Sequence, residues 1–362
     1  MPVREKAIKK LLEKGVTERV YPGAVLLVAQ NGRIIFIQAV GHLSLIPEPV
    51  PMRTDTIFDL ASLTKPLATT LAMMKMVGEG TIGLDQSLSE LITTSPLMDK
   101  GNLTPRLLLN HAAGLKDWEP FYLDLIKQSP DKRKGILREA LVNSPLLYHP
   151  GKDCLYSDLG FMILEWIIEE RAGMTLPEFL DRFFFNSLSL KTTFFSKNAC
   201  PDHLRKDRFA ATEACPWRKE IVQGYVHDEN AYALGGYSGH AGLFGVAEEV
   251  YHLISLLRAH FLGVQDDYLN PETVRTFFTK QDLVNGSTWA LGWDTPSPED
   301  SSSGKHFSPH SVGHLGFTGT SLWLDLEQDV IVILLTNRIH PTRNNEKIKA
   351  FRPKIHDLIM EK

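Results

Sequence analysis

The chain has 362 residues, 43% of them hydrophobic, and carries 39 Lys and Arg against 43 Asp and Glu, a formal net charge of -4. That length can bury a sizeable core as one large domain or two ordinary ones, so an enzyme is within reach. The near-balanced charge, with no basic run interleaved with aromatics, argues against nucleic acid as a partner.

In chain order, the N-terminal residues lead into a charged amphipathic helix over 7–14 and not into the apolar core of a signal peptide, so the expectation is a cytoplasmic protein. No apolar run approaches the about 20 residues a membrane span needs. The β-rich runs 23–30 and 33–38, joined by Asn31-Gly32, predict a hairpin. From Leu60 through Met76 the residues are mostly Leu, Ala, Met and Thr, with Gly78 and Gly80 as stop signals, which predicts a largely buried helix opened by Ser62. Helical periods separated by Pro and Gly continue to about Phe195, including Phe161 to Ile168. The charged stretch from Cys200 to Glu220, with Pro201 and Pro216, reads as a surface connection.

Strands return at Thr320 to Asp325 and Val330 to Asn337, around a Glu327-Gln328-Asp329 turn. A last helix spans about Ile348 to Met360, where Pro353 should shift its start or bend it. Strands at both ends with helices between them predict an α+β fold: an antiparallel sheet assembled from the two ends, with a helical region inserted. Cys154, Cys200 and Cys215 are odd in number and lack metal-ligand spacing, which predicts reduced thiols.

Ser62-Leu63-Thr64-Lys65 puts a hydroxyl and an amine one helical turn apart, on one face, directly before an apolar run. A serine with a base at that distance can become a nucleophile. The same residues also suit an ordinary helix start, capped by Ser62 with Lys65 reaching for water. The spacing recurs at Ser129/Lys132 and Ser302/Lys305, but in charged or loop-like surroundings.

Tyr156-Ser157-Asp158 stands at the entrance of a second apolar helix. There a phenol near an ammonium would have a depressed pKa and could relay a proton, or the tyrosine could simply be half-buried with Asp158 as the helix cap. His314-Leu315-Gly316-Phe317-Thr318-Gly319 precedes the terminal strand pair, where glycines allow close backbone approach and a strand-edge N–H could bind an oxyanion, or make an ordinary bend. His306, His310 and His314 have helical metal-face spacing, yet Gly304, Pro309 and Gly313 argue against that helix, and no metal is expected. The glycine-rich segment 234–244 lacks phosphate-loop spacing, so no nucleotide or other cofactor is expected. His111 reads as a hydrogen-bonded structural histidine in an apolar setting.

Ser62-x-x-Lys65, Tyr156-x-Asp158 and His314-x-Gly316, in this order, resemble the three active-site elements of the serine β-lactamase and penicillin-binding protein superfamily. The likeness is greatest to class C β-lactamases, family VIII carboxylesterases and D-amino-acid peptidases, and extends over nearly the whole chain. It implies a β-lactamase-like fold with a sheet domain from residues 1–60 and 230–362, a mostly helical domain over 61–229, and a cleft at their junction. By position it implies Ser62 as the nucleophile that forms an acyl-enzyme, and Lys65 and Tyr156 sharing general base and acid work. It further implies the backbone N–H groups of Ser62 and Phe317 as an oxyanion hole, with Asp158, His314 and Gly316 beside the substrate.

Two departures bear on substrate. Class C enzymes carry Tyr-x-Asn where this chain has Asp158, whose charge should favour a protonated Lys65 and shift base duty toward Tyr156. They carry Lys-Thr-Gly where this chain has His314-Leu315-Gly316, so the fixed cation aimed at a substrate carboxylate is missing. The expectation is a serine hydrolase of small esters, with slow β-lactam cleavage as a side activity. The alternatives are a D-stereospecific amidase or peptidase, a D-Ala-D-Ala carboxypeptidase, and a non-catalytic penicillin-binding sensor module. No motif speaks to oligomeric state.

Overall fold

The structure is a computed structural model and describes residues 2–201 and 203–361. The helix α1 (Pro2–Thr17) leads into β1 (Gly23–Gln30) and β2 (Arg33–Ser44), an antiparallel pair closed by Asn31 and Gly32, both at positive φ as a tight hairpin turn requires. A short β3 (Val50–Pro51) pairs with the end of β2. The far end of the chain supplies β4 (Val312–Leu315), β5 (Ser321–Asp325) and β6 (Val330–Thr336). The six strands form one sheet in the order β3-β2-β1-β6-β5-β4, and β1 pairs antiparallel with β6 from Ala24↔Thr336 to Gln30↔Val330. Both faces of this central pair are buried, which is why β6 is a continuous apolar run and not an alternating one.

One face of the sheet is covered by α1 and the last helix, Ile348–Met360, where Leu12, Ile355 and Phe351 meet Leu26 and Leu334. Pro353 lies inside that helix. The other face, with Val25, Leu27 and Ile333, belongs to a larger core shared with the helices contributed by the middle of the chain. Among these is the helix Asp158–Ala172, called αN below for the Asp158 at its N-terminus.

The segment that begins at Ser62 is not the regular helix expected. Ala61–Leu63 is a 3-10 turn, Lys65–Thr70 is wound as a π-helix, and only Leu71–Gly78 is α-helical. Pro66 explains the change, because it lacks an N–H and disrupts the ladder just where an α-helix would establish it. The stretch from Cys200 to Glu220 is also more than a surface connection: Phe209 to Glu213 and Cys215 are buried, and Glu213 ties into the cleft described next. Among the described residues no helix is long and apolar enough to cross a membrane.

Candidate active site

Ser62 sits on a strained backbone corner. Ala61, directly before it, has φ 49°, a left-handed conformation that a residue with a Cβ adopts at a cost. Asp59 braces the corner from below, accepting from the Ala61 N–H at 2.9 Å and from the His227 N–H at 2.7 Å. The turn after β4 is pinned to the same corner by Thr318 Oγ1 on the Asp59 carbonyl (2.9 Å) and Thr320 Oγ1 on the Leu60 carbonyl (3.1 Å). Gly316 makes this approach possible, since a Cβ there would stand 2.0 Å from Thr320 Oγ1 and 2.7 Å from the Leu60 carbonyl oxygen.

One turn after Ser62, Lys65 is fully buried. Its Nζ donates to Ser62 Oγ at 3.3 Å, to Asp158 Oδ1 at 2.6 Å and to the His240 carbonyl at 3.4 Å. An ammonium has three protons, and each has an acceptor here. Burial, the largest influence, pulls the Lys65 pKa down, but the charges of Asp158 and Tyr156 more than offset it and the net shift is upward. Lys65 is therefore a cation at neutral pH.

Asp158 is the first residue of αN, while the cap itself is Ser157, whose Oγ accepts from the Gly160 N–H at 3.2 Å. Ser157 in turn donates its backbone N–H to His111 Nδ1 at 3.0 Å, so His111 holds this segment in place. Burial keeps His111 neutral. The Tyr156 ring lies with its centroid 4.7 Å from Lys65 Nζ and is packed among His111 (ring centroids 4.7 Å apart), Trp289 (5.6 Å) and His314 (5.9 Å). The expected depression of its pKa does not occur. Burial raises it by more than the Lys65 ammonium lowers it, so Tyr156 rests as a neutral phenol.

His314, on β4, is 2% exposed and donates Nδ1–H to the Leu315 carbonyl at 2.8 Å. Burial and the nearby Lys65 push its pKa down to about 3, so no cation stands where the resemblance would place one.

These residues surround a cavity of about 400 Å³ lined by Ser62, Tyr156, Asp158 and Phe317, together with Trp118 and the polar groups His227, Asp228, Glu229, His240 and Arg343. Lys65, His314 and Gly316 stand behind that wall. Trp118 and Phe317 are 42% and 47% exposed, an aromatic pair at an opening where most large apolar side chains would be buried. Each cation of the wall is already paired: Arg343 with Glu213 (2.5 Å) and Glu229 (2.6 Å), and His240 with Asp228 (3.0 Å). Sequence reading missed Trp118, Glu213 and Arg343. Their partners lie up to 130 positions away, a separation no local pattern reveals.

A family model described as Beta-lactamase matches residues 8–354. The N-acetylmuramyl-L-alanine amidase of Bacillus subtilis (strain 168) is 30% identical over 364 residues, covering 92% of this chain and 80% of the relative. A putative D-alanyl-D-alanine carboxypeptidase of Escherichia coli (strain K12) is 31% identical over 350 residues, covering 88% of this chain and 79% of the relative. Among solved structures, EstCE1, described as a hydrolase with promiscuous acyltransferase activity, superposes with a TM-score of 0.72 at 23% identity, covering 97% of this chain and 98% of its own. The octameric penicillin-binding protein homologue from Pyrococcus abyssi gives 0.74 at 18% identity, covering 100% of this chain and 78% of its own. The two structures share the fold, and the sequence matches span nearly the whole chain. The chain belongs to the beta-lactamase family and is a serine hydrolase.

Proposed function

We propose that this hydrolase cleaves small esters through an acyl-enzyme on Ser62, in a cleft between a sheet domain (residues 1–60 and 230–362) and a mostly helical domain (61–229). The observation that carries the reading is the Lys65 ammonium, held 3.3 Å from Ser62 Oγ and 2.6 Å from Asp158 Oδ1 at the wall of the cavity. Neither Lys65 nor Tyr156 is a free base at rest, so the proton acceptor is the Asp158 carboxylate, reached through Lys65. As Ser62 Oγ bonds to the substrate carbonyl carbon, its proton passes to Lys65 while Lys65 hands one to Asp158.

The backbone N–H groups of Ser62 and Phe317 receive the negative charge that develops on the carbonyl oxygen. Tyr156 gives its phenolic proton to the departing oxygen as the acyl–oxygen bond breaks, leaving alcohol and acyl-Ser62. Water then attacks the acyl group and returns a proton to Tyr156, while Asp158 returns its own through Lys65 to Ser62. The carboxylic acid and the resting enzyme result.

Substrate preference follows from charge. With His314 neutral and the wall cations engaged by carboxylates, a substrate carboxylate meets no unpaired donor of positive charge. A missing charged hydrogen bond of about 1.5–3 kcal/mol corresponds to roughly 10- to 100-fold in rate or affinity. That favours neutral esters over penicillins and over peptides ending in D-alanine. Amide cleavage is the second reading, favoured by the relative named as an N-acetylmuramyl-L-alanine amidase and by the aromatic opening at Trp118 and Phe317, which suits an acyl group larger than acetate. Initial rates on short-chain p-nitrophenyl esters, D-alanyl anilides and a cephalosporin, each with Ser62→Ala as background, decide the order. Esters fastest supports the first reading, and anilides fastest replaces it with the second.

A further inference from the structure

The helix αN grips Lys65 twice. Its first residue, Asp158, takes one ammonium proton directly. Seven residues on, two turns along the same face, stands Glu165, 2% exposed. Its Oε2 accepts from Ser238 Oγ at 2.9 Å and from the Gly239 N–H at 2.8 Å. The next residue is His240, whose carbonyl takes a second Lys65 proton at 3.4 Å. From the opposite side, Thr69 Oγ1 donates to the Gly239 carbonyl at 2.6 Å, one turn after Lys65.

The turn 238–240 is thus fastened to αN on one side and to the Lys65 segment on the other. Nothing larger than glycine fits at its centre: a Cβ on Gly239 would lie 2.1 Å from the Phe161 carbonyl oxygen and 2.9 Å from Glu165 Cβ. Lys134 Nζ stands 2.9 Å from Glu165 Oε1 and gives the buried carboxylate its counter-ion. A buried ion pair alone would be an ordinary structural device. Here the carboxylate oxygen facing away from Lys134 holds the two residues immediately before the carbonyl that Lys65 uses.

We infer that Glu165 is a positioning residue for the Lys65–Ser62 pair, fixing the 238–240 turn so that the His240 carbonyl takes one ammonium proton and another stays directed at Ser62. This rests on the reading of Ser62 as nucleophile. If the turn drifts, Lys65 keeps Asp158 but has one buried N–H without an acceptor, and its orientation toward Ser62 loosens. Of the cavity wall only His240 and the adjacent Ala241 lie at this turn, so the loss falls mainly on kcat and little on KM.

The groups facing Lys65 are Asp158, Tyr156, neutral His111 and His314, and His240, and of these only the His240 carbonyl depends on Glu165. Losing that acceptor makes the ammonium easier to deprotonate, so the basic limb of the kcat–pH profile moves to lower pH.

Glu165→Gln and Gly239→Ala both disturb the contact between αN and this turn, and only the first changes a charge. Expected on a short-chain ester is a fall in kcat of roughly 10-fold or more, KM within about twofold, and the downward shift of the basic limb in each folded variant. Should Glu165→Gln lose its fold, Gly239→Ala carries the decision. A folded variant whose basic limb stays at the wild-type position, whatever its stability, overturns the inference. Labelling of Ser62 by a fluorophosphonate in the wild type separates the two levels: no label defeats the nucleophile reading itself, whereas label with an unmoved limb defeats only the role of Glu165.

Discussion

Asp158 Oδ1 and Lys65 Nζ are joined by a 2.6 Å hydrogen bond between residues 93 positions apart, the shortest of the three bonds that hold the Lys65 ammonium. It places a carboxylate one proton transfer away from the amine that touches Ser62. In the proposed cycle that carboxylate is where the serine proton comes to rest.

Asp158→Asn removes this acceptor while keeping size and shape. Steady-state rates on a p-nitrophenyl ester should show kcat reduced by about 10²–10⁴, the span associated with loss of general base assistance. A variant that hydrolyses at the wild-type rate shows that Lys65 acts without Asp158.

His314 is expected to be electrostatically silent. Its pKa of about 3 keeps it neutral throughout the range where the enzyme would be assayed. His314→Gln should leave the shape of the kcat/KM profile between pH 5 and 8 as it is in the wild type, with cephalosporin turnover still slow. An inflection that disappears in the variant identifies His314 as a titrating group and reopens it as a carboxylate anchor.

Gly316→Ala forces a methyl group toward Thr320 Oγ1 and the Leu60 carbonyl, the contacts that bring Phe317 to Ser62. Overpacking of this kind costs about 1–3 kcal/mol, to be read as a shift in the urea midpoint, and ester turnover should fall with it. Wild-type stability together with wild-type turnover shows that the turn after β4 can move without consequence.

The His240–Asp228 pair gives a pH-dependent contribution to stability. Burial lowers the His240 pKa, but the Asp228 and Asp158 charges outweigh it and raise the value above the ordinary 6.5. That contribution is fully present below pH 6.5 and is lost as pH rises through the raised value. Asp228 runs the other way: burial opposes its charge, yet His240 and the Ala231 N–H hold it well below the usual carboxylate range, so its share is present above the ordinary 3.8 and is lost in acid. The destabilisation caused by His240→Gln should therefore be larger at pH 6 than at pH 9 in urea titrations. An equal difference at both values means that His240 is not charged in the folded protein.

The sheet was legible because its signals are local. Asn31-Gly32 between two β-rich runs and the unbroken apolar run from Val330 each describe their strand without reference to distant residues. The winding around Lys65 was not, because an apolar helical pattern outweighs a single Pro66 on paper, whereas in three dimensions the missing N–H reorganises a whole turn. Ser62, Lys65 and Tyr156 were readable as candidates from their order along the chain, and the structure brings the three together. The protonation state of Tyr156 was not readable, since it depends on how completely His111, Trp289 and His314 enclose the ring. Asp158 lay between these cases: its charge pointed to an ammonium at Lys65, but only the geometry shows that all three ammonium protons are taken.

The most direct test of the acyl-enzyme is the mass of the intact protein, sampled within seconds of mixing with an excess of a p-nitrophenyl ester. The wild type should gain one acyl group, located on Ser62 by peptide mapping and lost again as substrate is exhausted, while Ser62→Ala should gain none. An ester that is hydrolysed with no adduct on Ser62, or an adduct that forms equally in Ser62→Ala, contradicts the account.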